Sequence, residues 1–252
     1  MPSDVMDLGT TGWLVMVLCA AVVGLAKTAL PGAGTIAVGL AAAAMPAKES
    51  TGTLLVLLIL GDLLAVLSYR RDVDWATLRR MAPAVLVGLL LGTGYLDLAS
   101  DAATRRVIGL ILLAMIAISL WRRHRGTPVP EPGSRSARLA SAGYGSMAGF
   151  TTMVANAAGP VTSLYFLSSG FQVTRFLGTT AWFYFVVNLV KLPLSAGVGV
   201  IRVETLWIDL VLAPVVVVAA LAGRRLARTL PQRVFEPIVM VLTVVSAVNL
   251  LL

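Results

Sequence analysis

The sequence holds few residues that could do chemistry. It has one cysteine, Cys19, and one histidine, His124, in 252 residues. Cys19 sits in an apolar run with no partner, so neither a disulfide framework nor a thiolate metal site can be built. His124 stands among arginines with no second ligand at metal spacing, which argues against a metal centre. Charge is also scarce: 13% of residues carry one, and 12 acidic residues face 20 basic ones. Apolar residues fill the chain instead, at 58%. Runs such as 54–67 and 211–222 have no soluble core large enough to hide them, so the expected class is an all-α, polytopic integral membrane protein.

In a soluble protein the basic excess would suggest nucleic acid. Here the arginines form short clusters between apolar segments, which is a topology signal, and no nucleic-acid partner is expected. The first residues carry Asp4 and Asp7 rather than a basic patch, and no small-residue cleavage site follows the first apolar run. That run is therefore expected to be retained.

Each crossing needs about 20 mostly apolar residues. Six segments read as plain spans: 50–69, 81–97, 104–121, 176–195, 206–223 and 232–251. Two regions are not plain. Residues 13–46 are interrupted by Lys27, Pro31, Gly32 and Gly34, and residues 139–170 by Asn156, Gly159 and Pro160; each is predicted to be two half-helices joined at membrane depth. Unwound backbone at that depth must be buried in protein or line a wet cavity, which makes the interruptions candidate ligand sites.

The interruptions belong to an internal repeat. Gly24, Gly34, Gly52 and Asp62 align, with a one-residue slip, to Gly149, Gly159, Gly178 and Asn188; Ala82-Pro83 answers to Ala213-Pro214. The expected organisation is a first membrane repeat over 1–121, a cytoplasmic linker over 122–138 with His124 and five arginines, and a second repeat over 139–252.

Three arginine clusters are expected on the cytoplasmic side: Arg70, Arg71, Arg79 and Arg80; the linker; and Arg224, Arg225, Arg228 and Arg233. Placing all three inside makes both interrupted regions re-entrant hairpins, and the repeats are then inverted, as in many secondary transporters. If each interrupted region crosses once, the repeats are parallel and the third cluster lies outside.

The runs Gly24-Leu-Ala-Lys-Thr-Ala-Leu-Pro-Gly-Ala-Gly34, Ser50-Thr-Gly-Thr-Leu-Leu55 leading to Gly61-Asp62, Ala155-Asn-Ala-Ala-Gly-Pro160, and Gly178-Thr-Thr-Ala-Trp182 leading to Asn188 and Lys191 resemble the sulfite exporter TauE/SafE family of membrane permeases. The resemblance spans nearly the whole chain. It implies a permease of the bacterial inner membrane that passes sulfite, sulfonates or related small organic anions without a cofactor.

An anion in a bilayer needs positive potential, and half-helix N-termini near Gly34-Thr35 and Gly159-Pro160 supply it. Thr28, Thr35 and Ser163 are candidate hydroxyl donors and Asn156 an amide donor, while Gly32, Gly34 and Gly159 let backbone approach a ligand. The competing reading of the glycines is close helix packing. Lys27 is a candidate anion ligand, with snorkelling as its alternative; Lys191 is open to the same two readings.

Asp62, with Asn188 at the equivalent position, is a candidate proton carrier, because a carboxyl in a low-dielectric cavity can exchange a proton near neutral pH. Its alternative is a plain ion pair with Lys27 or Lys191. Trp182 and Tyr184 read as interface anchors and stay off the site.

The leading expectation is a secondary transporter whose two hairpin tips hold a small anion, with protons as one option for the coupling ion and a homodimer as one option for assembly. An intramembrane enzyme would need a nucleophile with a base, and none stands out. A non-transporting assembly factor would have no use for paired polar breaks at membrane depth.

Overall fold

The structure is a computed structural model, and it describes residues 8–45, 47–96, 110, 114, 117, 121, 134–197, 201 and 205–251. Nine helices occur among them: α1 (Gly9–Thr28), α2 (Gly34–Ala44), α3 (Ala47–Tyr69), α4 (Trp75–Leu96), α5 (Arg135–Ala155), α6 (Ala158–Ser168), α7 (Val173–Gly197), α8 (Leu206–Thr229) and α9 (Gln232–Leu251). No strand occurs among the described residues. Five of these helices contain a stretch long and apolar enough to cross a membrane: Gly9–Thr28, Ser50–Tyr69, Trp75–Tyr95, Val173–Gly197 and Leu206–Thr229. Large apolar side chains such as Leu90, Leu210 and Val218 face outward, as a lipid solvent requires. The expected span over 104–121 falls almost wholly outside the described residues, as does His124.

The chain forms two compact units that do not follow the sequence halves. The first comprises Met1–Arg71 with Thr180–Leu230, the second Asp72–Thr179 with Pro231–Leu252.

In the first unit, α1 ends at Thr28, and the chain turns through Pro31 and Gly32, whose φ of 102° only glycine tolerates readily. The second helix then doubles back along the first, with Cys19 Sγ 3.3 Å from the Ala37 carbonyl oxygen. Met16, Ala20, Val23, Ala37, Ala41 and Leu57 join Leu212 and Val216 of α8 in an aliphatic core.

The α1–α8 contact is close because a glycine is at its centre. A Cβ on Gly24 would stand 2.5 Å from the Val216 carbonyl oxygen, and one on Gly223 would stand 2.3 Å from Thr28 Oγ1. Successive contacts advance together along both helices, so α1 and α8 run parallel. Helices α3 and α7 run antiparallel: Asp62 meets Asn188, while Ala65 and Val66 meet Ala181, Trp182 and Phe185.

The second unit repeats the first contact with different partners. A Cβ on Gly149 of α5 would lie 2.2 Å from the Val85 carbonyl oxygen of α4, and one on Gly92 would lie 2.8 Å from Met153 Cβ. Gly149, Val85, Gly92 and Met153 take the places of Gly24, Val216, Gly223 and Thr28 in this second contact. Here α6 doubles back on α5, and the Ser141 and Tyr165 hydroxyls meet at 2.7 Å. The core is aromatic, with Tyr144, Tyr165, Phe166, Phe176 and Phe235 in successive ring contacts.

Three boundaries differ from the sequence expectation. The fourth helix starts at Trp75 rather than 81, because Asp74 Oδ1 accepts from the Thr77 backbone N–H at 3.0 Å and caps a polar first turn. The fifth starts at Arg135, inside the expected linker, capped by Ser134. The second interruption is confined to Asn156 and Ala157; Gly159 and Pro160 lie in the first turn of α6, where proline costs nothing. The arms are also unequal. Each interruption joins a helix of 20 or 21 residues to one of 11, not two halves of similar length.

Candidate functional site

The first unit encloses a cluster of ionisable groups contributed by three helices. Lys27 lies in the last turn of α1, where a cation also meets the negative end of the helix. Its ammonium forms an ion pair with Asp62 Oδ1 of α3 at 2.7 Å. Asp62 Oδ2 accepts from the Asn188 side-chain amide of α7 at 2.7 Å. Asp62 has no exposed surface and Asn188 is buried, so this bond is made away from water.

Lys191 stands on the same helix as Asn188, about one turn further on. Its side chain is 2% exposed, and it lies within electrostatic range of both Lys27 and Asp62. Burial encloses this lysine within the protein instead of letting it reach a membrane interface.

Space for the Lys27 stem comes from Gly61, where a Cβ would approach Lys27 Cγ to 2.9 Å. The far side of the ammonium is covered by the Tyr184 ring, whose centroid lies 4.2 Å from Nζ. Tyr69, at the end of α3, donates its hydroxyl to the Thr28 carbonyl oxygen at 2.8 Å and satisfies one of the open carbonyls where α1 stops.

Thr28 Oγ1 donates to the Gly24 carbonyl oxygen and Thr35 Oγ1 to the Gly32 carbonyl oxygen, so both hydroxyl protons are engaged with local backbone. Gly34 faces open space, since a Cβ there would meet nothing within 4 Å. Gly24, Gly223, Gly92 and Gly149 pack helices, and Gly34 does not.

Asn156, Gly159 and Ser163 belong to the second unit. Asn156 ends α5 in the left-handed conformation, at φ 52°, where its side chain is tolerated better than most. Ser163 is fully buried, and its hydroxyl has no hydrogen-bond partner among the described residues.

Over residues 16–250 the chain matches the family described as sulfite exporter TauE/SafE. The chain belongs to the TauE/SafE family. Neither a curated protein nor a solved structure matches it. TauE/SafE membership makes this a membrane transport protein. No cluster of metal-ligating side chains occurs among the described residues.

Sequence reasoning singled out every ionisable member of this cluster, set Tyr184 aside as an interface anchor and did not reach Tyr69. Both tyrosines carry the same signal as membrane-interface aromatics, and only the tertiary packing shows them turned inward.

Proposed function

We propose that this TauE/SafE protein is a secondary transporter that moves a small anion, sulfite or a sulfonate, across the bacterial inner membrane by alternating access, and that Lys27, Asp62, Asn188 and Lys191 form its anion-binding core. One observation carries the reading. Two lysines and one aspartate, all buried, gather from three helices into one cluster. Ionisable groups buried at membrane depth line substrate pathways, and a cluster with more cationic than acidic groups suits a small anion.

The lysines divide the work. Lys27 is held by Asp62 and fixes the geometry, while Lys191 supplies the charge that the anion meets. Gly34, Gly32 and the start of α2 lie at the end of the same α1 arm and offer backbone donors. Asn156, Gly159 and Ser163 are candidate donors at the second interruption.

The repeats are read as inverted and the interruptions as re-entrant. The antiparallel contact of α3 with α7 through the equivalent residues Asp62 and Asn188 supports this, because parallel repeats would run those helices in the same direction. The fold-back of α2 on α1 and of α6 on α5 supports the hairpins. With the arginine clusters cytoplasmic, α1 enters from the outer face.

The test is uptake of labelled sulfite and a panel of small sulfonates and carboxylates into proteoliposomes. Wild type is expected to carry at least one of them, and Lys191→Met to carry none while remaining folded. Correctly inserted wild type that moves no member of the panel would overturn the reading.

A further inference from the structure

A second acidic group is buried in the first unit, and the anion core does not use it. Asp209, in the first turn of α8, is 5% exposed, and neither carboxylate oxygen has a hydrogen-bond partner among the described residues. It lies on the same stripe as Leu212, Val216, Ala220 and Gly223, the face that packs α8 against α1. Its immediate company is apolar, since Ile208 and Leu212 belong to the core cluster with Met16 and Cys19.

The charged and titratable groups facing this position can be enumerated. Helix α1 carries none before Lys27 except Cys19, whose thiol is directed at the Ala37 carbonyl oxygen, and α2 carries none. The third helix carries Asp62 deep in its span. Asp4 and Asp7 before α1, the side chains of Lys48 and Glu49 at the start of α3, and residues Arg202 and Glu204 before α8 lie outside the described residues. Asp209 is 14 residues before Gly223, the residue that touches Thr28, which places it about 21 Å along the helix from the Lys27 level. It is a separate site.

An ionised carboxylate left without a partner in such a place is strongly disfavoured, and the helix N-terminus offers too small a compensation to hold it. A proton is the smallest ligand that neutralises it, and the only one that needs no cavity. Asp62, the other candidate carrier, is already committed to Lys27 and Asn188.

We propose that Asp209 is the coupling-ion site of this transporter: its carboxylate binds one proton when the α1–α8 contact closes over it and releases that proton when the contact opens. The coupling role rests on the transport reading above; the bound proton does not.

Two measurements separate them. Infrared difference spectroscopy of the whole protein across a pH step should show the carbonyl stretch of a buried protonated carboxyl in wild type and in Arg202→Gln, and lose it in Asp209→Asn. In proteoliposomes, wild type should accumulate labelled sulfite under an imposed pH gradient, whereas Asp209→Asn should fall to passive equilibration and Asp62→Asn should lose exchange itself.

A wild-type spectrum without the band, or a band that appears only once Arg202 is removed, overturns proton binding. Gradient-driven accumulation by Asp209→Asn at the wild-type level overturns coupling. If wild type moves no anion, the transport reading and the coupling role fall together, while the band still decides whether Asp209 holds a proton.

Discussion

The two interrupted regions have the same backbone plan and opposite chemistry. In each, a long arm packs through a glycine against the carbonyl of a valine on a partner helix, Gly24 on Val216 and Gly149 on Val85, and a short arm of 11 residues folds back. Yet the first region carries Lys27 where the second has Thr152, and α3 carries Asp62 where α7 has Asn188. The third ionisable group, Lys191, has Ala65 as its counterpart. The same scaffold occurs in both units, and the buried lysine–aspartate cluster lies in the first. The glycine contacts should therefore matter equally in both units, whereas changes to buried charge should matter most in the first.

The largest effect is expected where both copies are alike. Gly24→Leu and Gly149→Leu each drive a side chain into a backbone carbonyl that cannot move without shifting its helix. Either is expected to abolish properly folded protein, read as loss of the monodisperse peak on size-exclusion chromatography in detergent. A clear asymmetry between the two would break the equivalence.

Next comes the ion pair. Lys27→Met leaves the Asp62 carboxylate buried and unpaired, a change expected to cost about 3–5 kcal/mol. The double variant Lys27→Met/Asp62→Asn removes both charges and is expected to recover most of the thermal stability without recovering transport. The counterpart substitution, Thr152→Val, is expected to leave uptake largely intact.

Lys191→Met should separate stability from function. The variant should still fold and melt cooperatively, while uptake is lost. A destabilised Lys191→Met would mean that this lysine serves the fold.

The smallest effect lies outside the membrane. Burial of Asp74 pushes its carboxyl up, but the Thr77 backbone N–H and the Arg175 guanidinium outweigh burial and hold it below the usual carboxylate range. A group whose acidity is strengthened on folding contributes stability above its unfolded value, near about 3.9, and that contribution is lost as pH falls through the lower folded value. Because Arg175 is largely exposed, the pair is expected to contribute only about 0–1 kcal/mol. Asp74→Asn should therefore lower the melting temperature slightly at pH 7, converge on wild type at the acid end where the carboxyl is protonated, and so give a flatter pH profile.

Much of this was legible in the sequence, and the reasons are specific. Spans of about 20 apolar residues are fixed by bilayer thickness, so α3 and α7 lie close to their expected bounds, while α8 runs on from the expected 223 to Thr229. Proline and glycine marked the interruptions because they act on their own backbone. Lys27 and Asp62 stood out because charge is costly in hydrocarbon, whatever its neighbours.

What stayed hidden depends on which surfaces meet. Gly24 and Gly34 look alike as letters, yet one touches a carbonyl and the other faces open space. Tyr184 reads as an interface anchor until the fold turns its ring onto Lys27. Asp209, at the start of an apolar run, carries no signal of burial in the sequence, and only the packing of α8 shows that it is enclosed. The start of α4 was missed because a polar, capped first turn has no apolar signature.

The central claim is that the buried Lys191 meets the bound anion, and equilibrium binding tests it most directly. Purified protein would be titrated with sulfite and with a small sulfonate by calorimetry, comparing wild type with Lys191→Met after both are shown to melt cooperatively. Saturable binding to wild type and none to Lys191→Met is the predicted result. Equal binding by a folded Lys191→Met protein would contradict the account.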